Sequence, residues 1–385
     1  MITTSNLYHV VEAMAPLYTA MALGYAAVRW WRVLSPDQCN GINHFVALFP
    51  LPILAFRLIS SNNPYTMNTR LLAADSLQKL FLLAALFAWS YIRRGGGAAA
   101  ALPWVITVFC LATLPNTVIM GIPLLRGMYG PAAGQLMVQI VVVQSAFWWN
   151  FVLFLYEYIS ARHDIMEQEQ MNSNHAMEFP PLMSVWRVPV TVGRKLIRMP
   201  RTHAAILGLL WSLIAFRLGI KMPAIIDDSL SIISVTATGL SMFCVGTFIA
   251  QQSKFISCGY SMATFAVIVK FIVGPGIMVA SSLAVGLQGL LLHVAAVQAA
   301  LPLATVSFVY AKEYNVHPDI MRLSSGPLYL FQSQSSTIFY WDYKVKTVDN
   351  FVIPEKFVLQ SCSAAVSNVK LEHKYMQSRD AHGEV

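Results

Sequence analysis

Charge is what this sequence has least of. Only 11% of its 385 residues are Asp, Glu, Lys or Arg, against roughly a quarter in a soluble globular domain. Hydrophobic residues make up 56% and the mean hydropathy is +0.57. That balance excludes a water-soluble fold, because too little polar side chain is present to cover so much apolar surface. Cysteine is scarce and unpatterned: Cys39, Cys110, Cys244, Cys258 and Cys362 show no paired spacing. Neither a disulfide framework nor a zinc site is signalled, and packing is the expected role of the thiols. The nine histidines never cluster, and there is no glycine-rich phosphate loop and no nucleophile elbow. An enzyme reading therefore has no residues to stand on, and no catalytic residue, cofactor or metal site is expected. The N-terminal stretch also lacks a basic leader before a cleavage site, and Glu12 interrupts its apolar run, so a removable signal peptide is not expected.

Long apolar runs are what the chain has in quantity. A hydrocarbon core takes roughly 20 residues of helix, and candidate spans fall near 7–28, 42–60, 71–92, 102–125, 132–156, 204–219, 229–250, 260–287 and 289–311. The expected fold class is an all-α polytopic membrane protein with nine evident spans, and its solvent is the lipid bilayer. A net charge of +8 does not point to nucleic acid, because Lys and Arg sit in the connections, where they set orientation. With the N-terminus outside the cytosol, Arg29, Arg32, Arg93, Arg94, Arg162, Arg187, Arg194, Lys195, Arg198, Arg201, Lys254 and Lys312 fall inside. Arg70, Arg126, Arg217 and Lys221 fall outside.

The connection at 159–203 is polar and has little periodicity, which suits a short cytosolic linker. It divides a first five-helix membrane repeat at 1–158 from a second membrane repeat of four helices at 204–320. The two halves carry matching marks. Lys79 in the third span precedes Pro115 in the fourth by 36 residues, and Lys270 in the eighth precedes Pro302 in the ninth by 32. An odd number of helices per unit would set such halves in opposite orientations, the inverted-repeat plan of many secondary transporters. Residues 321–385 contain no run long enough to span, so an atypical hydrophilic tail is expected there, and the tenth helix of such a plan is missing.

Inside the fourth span, residues 113–125 read Thr-Leu-Pro-Asn-Thr-Val-Ile-Met-Gly-Ile-Pro-Leu-Leu. Proline removes one helical hydrogen bond and obstructs another, and hydrocarbon cannot satisfy the freed groups. A helix broken there offers backbone N–H groups and a positive half-helix end, which suit an anionic ligand such as a carboxylate. Asn116, beside the break, adds an uncharged donor. A plain kink explains Pro115 alone; Asn116 directly after it, and Pro302 in the other half, favour a binding site. Asp75 and Lys79 are four residues apart and share a helix face, so they can neutralise each other. Ionisable groups within a span point to function, here a support site coupled to movement, or else to a structural ion pair. Glu12, Arg57, Gln139, Gln144, Asn150, Lys270 and Gln298 are weaker candidates, Gln78 is less informative, and Trp148 and Trp149 read as interfacial or packing aromatics rather than stacking groups.

Four segments carry a resemblance to a known family: Ser-Pro-Asp-Gln-Cys at 35–39, Ala-Ala-Asp-Ser-Leu-Gln-Lys at 73–79, Leu-Pro-Asn-Thr-Val-Ile-Met-Gly-Ile-Pro-Leu-Leu at 114–125, and Ala-Lys-Glu-Tyr-Asn-Val-His-Pro-Asp-Ile at 311–320. With them the chain resembles the PIN-FORMED auxin efflux carriers of plants. The resemblance implies two inverted five-helix repeats, a scaffold and a transport domain, and broken crossover helices at the prolines of helices four and nine. It implies indole-3-acetate as substrate, exported from the cytosol without ATP or sodium, and a homodimer. Asn116 beside Pro115 would meet the carboxylate, Pro302 would mark the second break, and Asp75 with Lys79 would form the support site. Short-loop members resemble this chain and are assigned to the endoplasmic reticulum membrane, with the plasma membrane as the alternative.

The chain departs from the family at Val235, where an acidic residue is usual, and at 301–307, Leu-Pro-Leu-Ala-Thr-Val-Ser, where a Gln-Gly and a second proline are usual. Past the His-Pro-Asp-Ile segment the family continues into a tenth helix, whereas here the tail begins at Met321 and is expected to be poorly ordered, as the product of an alternative transcript or gene-model error. The rival readings are a related organic-anion or sodium-coupled transporter, and a non-transporting truncated isoform that modulates full-length carriers.

Overall fold

The computed structural model describes residues 4–94, 98–172, 192–194, 197–252 and 259–325. The expected tail lies outside the described residues beyond Ser325, as do residues 173–191 and 195–196 of the expected linker. All the regular elements among the described residues are helices. In chain order they are α1 (Thr4–Arg29), α2 (Pro36–Leu48), α3 (Pro50–Ser60), α4 (Thr69–Arg94), α5 (Ala98–Thr113), α6 (Ile122–Tyr129), α7 (Pro131–Val143), α8 (Trp149–Asn172), α9 (Pro200–Leu218), α10 (Ala224–Ala250), α11 (Tyr260–Ile268), α12 (Gly274–Ala284), α13 (Leu290–Ala299), α14 (Thr305–Glu313) and α15 (Pro318–Ser325). Short 3-10 and π segments stand between some of them.

Among the described residues six stretches are helical, long and apolar enough to cross a membrane: Tyr8–Arg29, Pro36–Ser60, Thr69–Ile92, Pro131–Arg162, Ala224–Ala250 and Ser261–Ala284. The protein is an all-α polytopic membrane protein. Its outward faces carry Leu80, Phe81, Leu207, Leu210, Ile225 and Ile232, apolar side chains that only a lipid or protein surround leaves unpenalised. Val235 is on such a face, 68% exposed.

Local sequence explains several element ends. Ser35 and Gln38 close a capping box at the start of α2, each accepting the other's backbone N–H at 3.3 and 2.9 Å. Pro50, which has no N–H to donate, separates α2 from α3. The helix begun at Trp149 runs on to Asn172, past the 158 boundary read from polarity, because residues 159–172 contain neither Gly nor Pro. A helix does not have to stop where apolarity does. At the other end, α15 continues past residue 320, with Met321 and Leu323 buried against the bundle. The packed unit therefore reaches beyond the 320 boundary expected from composition.

The most extensive helix contact joins α1 to α10. Small residues make it so close. A Cβ on Gly246 would fall 1.9 Å from the Met21 carbonyl oxygen, and one on Gly24 would fall 2.1 Å from that of Phe243. Without a strong hydrophobic drive between helices in lipid, such close backbone approach is how they adhere. Among the described residues the two largest apolar clusters fill most of the interior. One holds Met120, Met137 and Leu301 and the other Phe109, Leu114, Trp148 and Leu303, so they meet where the fourth and ninth spans break. Cys39, Cys110 and Cys244 are buried free thiols.

Gly246→Val should cost about 1–3 kcal/mol by overpacking against backbone that has nowhere to move. Thermal unfolding of the detergent-solubilised protein checks this; an unchanged midpoint would mean that α1 and α10 are not in such close contact.

Candidate functional site

The runs at 102–125 and 289–311 do not form continuous helices, and the reason is proline. Helix α5 stops at Thr113 and α13 at Ala299. The two extended stretches that follow lie antiparallel, bridged at Pro115 and Leu303. Asn116 N–H donates to the Pro302 carbonyl at 2.6 Å, and Ala304 N–H donates to that of Leu114 at 3.3 Å. Each break supplies what the other lacks, so neither leaves these groups unsatisfied in an apolar interior. After the break the chain winds through one π turn, Thr117–Gly121, into α6. The Asn116 side-chain carbonyl caps that turn, accepting from Ile119 N–H at 3.4 Å. Pro123 falls in the first turn of α6, where a missing N–H costs little. Gly121 gives the turn room: a Cβ there would meet Met137 at 2.5 Å and Leu301 at 2.8 Å.

A cavity opens beside this crossover. Pro115, Asn116, Thr117, Ser145, Trp149, Arg201 and Thr305 line it, with aliphatic residues of α2 and α3. It encloses about 60 Å³, far below the roughly 300 Å³ at which small-molecule sites begin. As it stands, the cavity is too small for a ligand of ordinary small-molecule size. A larger groove of about 910 Å³ lies between α1 and α6, but its ionisable residues His9, Glu12 and Arg126 are exposed. Of these two, the crossover cavity is the one that joins buried polar groups to freed backbone.

The far wall is shaped by a second π turn, Gln144–Trp148, between α7 and α8. Such turns leave carbonyls without regular partners and occur often at functional sites. Here Asn150 takes up two of them, donating from Nδ2 to Ser145 at 3.2 Å and Ala146 at 3.0 Å. Its Oδ1 accepts from the Thr202 hydroxyl at 2.9 Å, which pins the start of α9. Gln144 turns toward the crossover and accepts from the Thr117 hydroxyl at 3.0 Å. The Arg201 guanidinium lies 4.8 Å from the Trp149 ring centre.

Asp75 and Lys79 do not line the cavity. They form an ion pair with both side chains fully buried. Gln298 Nε2 donates to Asp75 Oδ1 at 3.1 Å, and Gln78 Nε2 donates to the Gly274 carbonyl at 2.9 Å. Lys270, also fully buried, donates to the Ala299 carbonyl at 3.3 Å. That places the Lys270 amine, as a hydrogen-bond donor, on a carbonyl at the C-terminal end of α13. The network thus ties α4 and α12 to the half-helix that ends at the crossover. No cluster of three or more His, Cys, Asp or Glu that could hold a metal occurs among the described residues.

Several of these residues carry weak sequence signals. Arg201 reads as a loop charge and Trp149 as a packing aromatic, although both line the cavity. Gln78 and Gln298 look incidental until the fold brings their partners from other helices. Pro200, which starts α9, was the one local hint that Arg201 opens a helix.

A family described as Membrane transport protein matches residues 9–324. A probable auxin efflux carrier component 9 of Oryza sativa subsp. japonica is 44% identical, covering 89% of this chain and 99% of its own length. The chain belongs to the auxin efflux carrier family of membrane transport proteins. Auxin efflux carrier component 8 of Arabidopsis thaliana is 39% identical over 351 aligned positions, with 86% of this chain and 95% of that protein covered. Probable component 1b of Oryza sativa subsp. japonica is 34% identical over 534 positions, with 83% and 96% covered. The longer alignment reflects sequence that this family member lacks.

Lys79→Met should leave Asp75 buried without its counter-charge and cost about 3–5 kcal/mol. The double variant Asp75→Asn/Lys79→Met should cost clearly less. Thermal unfolding of both checks this, and equal losses would show that the two residues are not coupled.

Proposed function

We propose that this carrier moves indole-3-acetate, as its anion, out of the cytosol through the crossover cavity. The observation that carries the proposal is the crossover itself: Asn116 donates its backbone N–H to Pro302 and caps the half-helix beyond, at the wall of a cavity. A half-helix of thirteen residues, Thr117–Tyr129, starts there with its positive end toward the cavity, where a carboxylate is favoured. The relatives named auxin efflux carriers support the substrate. At cytosolic pH the acid is almost wholly ionised and needs a carrier. Moving its one charge down a 100 mV potential yields roughly 2.3 kcal/mol, about a fiftyfold accumulation.

In this reading residues 1–158 and the segment from 204 onward are two inverted repeats. The matched Lys79 and Lys270, and the two broken helices that meet antiparallel, support it. The Asp75 and Lys79 network is the support site, coupling α4 and α12 to the crossover as the bundle moves. The compact alignment with component 8 supports a short-loop carrier; the endoplasmic reticulum membrane and a homodimer are part of the same proposal, carried by the resemblance to short-loop members.

Reconstitution of the 385-residue chain into proteoliposomes under an imposed potential tests this. Saturable uptake of labelled indole-3-acetate is expected, with Asn116→Ala raising KM roughly tenfold to a hundredfold at unchanged reconstitution. Folded wild-type protein without saturable uptake would overturn the reading.

A further inference from the structure

Arg201 is the one charged residue among those lining the crossover cavity. It is the second residue of α9, half-buried, and its Nε is buried with no hydrogen-bond partner among the described residues. Among the described residues no Asp or Glu pairs with it; the ion pairs there involve His9, Arg57 and Lys79 instead. An arginine kept in a largely apolar cavity without a counter-ion costs stability, and that cost is relieved when an anion arrives.

Its position is set from two sides. Pro200 fixes the helix start, and Thr202 is bonded to Asn150, which is itself held on the carbonyls of the π turn. The guanidinium over the Trp149 ring is steadied by cation–π attraction while its N–H donors stay in the guanidinium plane. A planar donor edge held in that way matches a carboxylate, which accepts two parallel N–H bonds from it. Asn116 lines the same cavity.

We propose that Arg201 is a specificity-determining residue that selects the carboxylate form of the substrate, making the site prefer an organic acid over its neutral analogue. The proposal rests on the crossover cavity being the substrate site. Asn116 and the half-helix end offer dipoles that any polar group can use, whereas a full charge separates an acid from an amide of the same shape. The other role open to an arginine at the end of a span is to anchor α9 at the lipid headgroups. An anchor would not distinguish acid from amide.

Binding to the purified full chain in nanodiscs, measured with indole-3-acetate and with its neutral isostere indole-3-acetamide, tests the proposal. Wild-type protein should bind the acid more tightly. Arg201→Gln should lower the acid-over-amide preference at least tenfold while leaving amide affinity within about twofold, which also shows that the variant is folded. Arg201→Met, which keeps an apolar stem against Trp149, should behave alike, and Arg201→Lys should restore part of the preference. An unchanged preference in either uncharged variant overturns the role of Arg201 and leaves the crossover reading standing. Wild-type protein that binds neither compound overturns both.

Discussion

Everything in this fold that bears on transport follows from one constraint: a proline in a membrane helix frees backbone groups, and hydrocarbon offers them nothing. Pro115 and Pro302 stop two helices, and the stretches after them satisfy each other through Asn116 N–H to Pro302 and Ala304 N–H to Leu114. The mutual pairing is stable only while both breaks are in register. The two broken spans are thereby locked into a single unit, with the positive end of a half-helix directed to its edge.

The polar residues around that unit divide into two groups with different work. On one side, the π turn at Gln144–Trp148 bends the wall toward Thr117 and, through Asn150 and Thr202, sets the start of α9 and with it Arg201. On the other, Asp75, Lys79, Gln78, Gln298 and Lys270 tie the neighbouring helices to the end of α13 without reaching the cavity. A fully buried ion pair is costly to break, so the pair holds its surroundings in one arrangement.

The sequence makes the helices and the breaks readable because both are local. Apolar runs of bilayer length, the missing N–H of Pro115 and the four-residue spacing of Asp75 and Lys79 are all written in neighbouring residues. Partners that come from far along the chain are not. The sequence pairs Pro115 with Pro302 as matching breaks but does not announce the bond from Asn116 N–H to the Pro302 carbonyl, and nothing near Gln78 announces Gly274. Arg201 misleads for a different reason, since an arginine at the end of a span fits the positive-inside pattern whether it faces water or a cavity. Trp149 is equivocal in the same way. Polarity changes at 158 and 320, yet α8 runs to Asn172 and α15 to Ser325.

The central claim is that the ligand sits at the crossover, and the most direct measurement is an electron cryomicroscopy structure of the chain with bound indole-3-acetate. The account predicts ligand density against Asn116, with the carboxylate within hydrogen-bond reach of it and of Arg201, in a cavity wider than the one described. Density confined to the groove between α1 and α6, with the crossover cavity still closed, would contradict it.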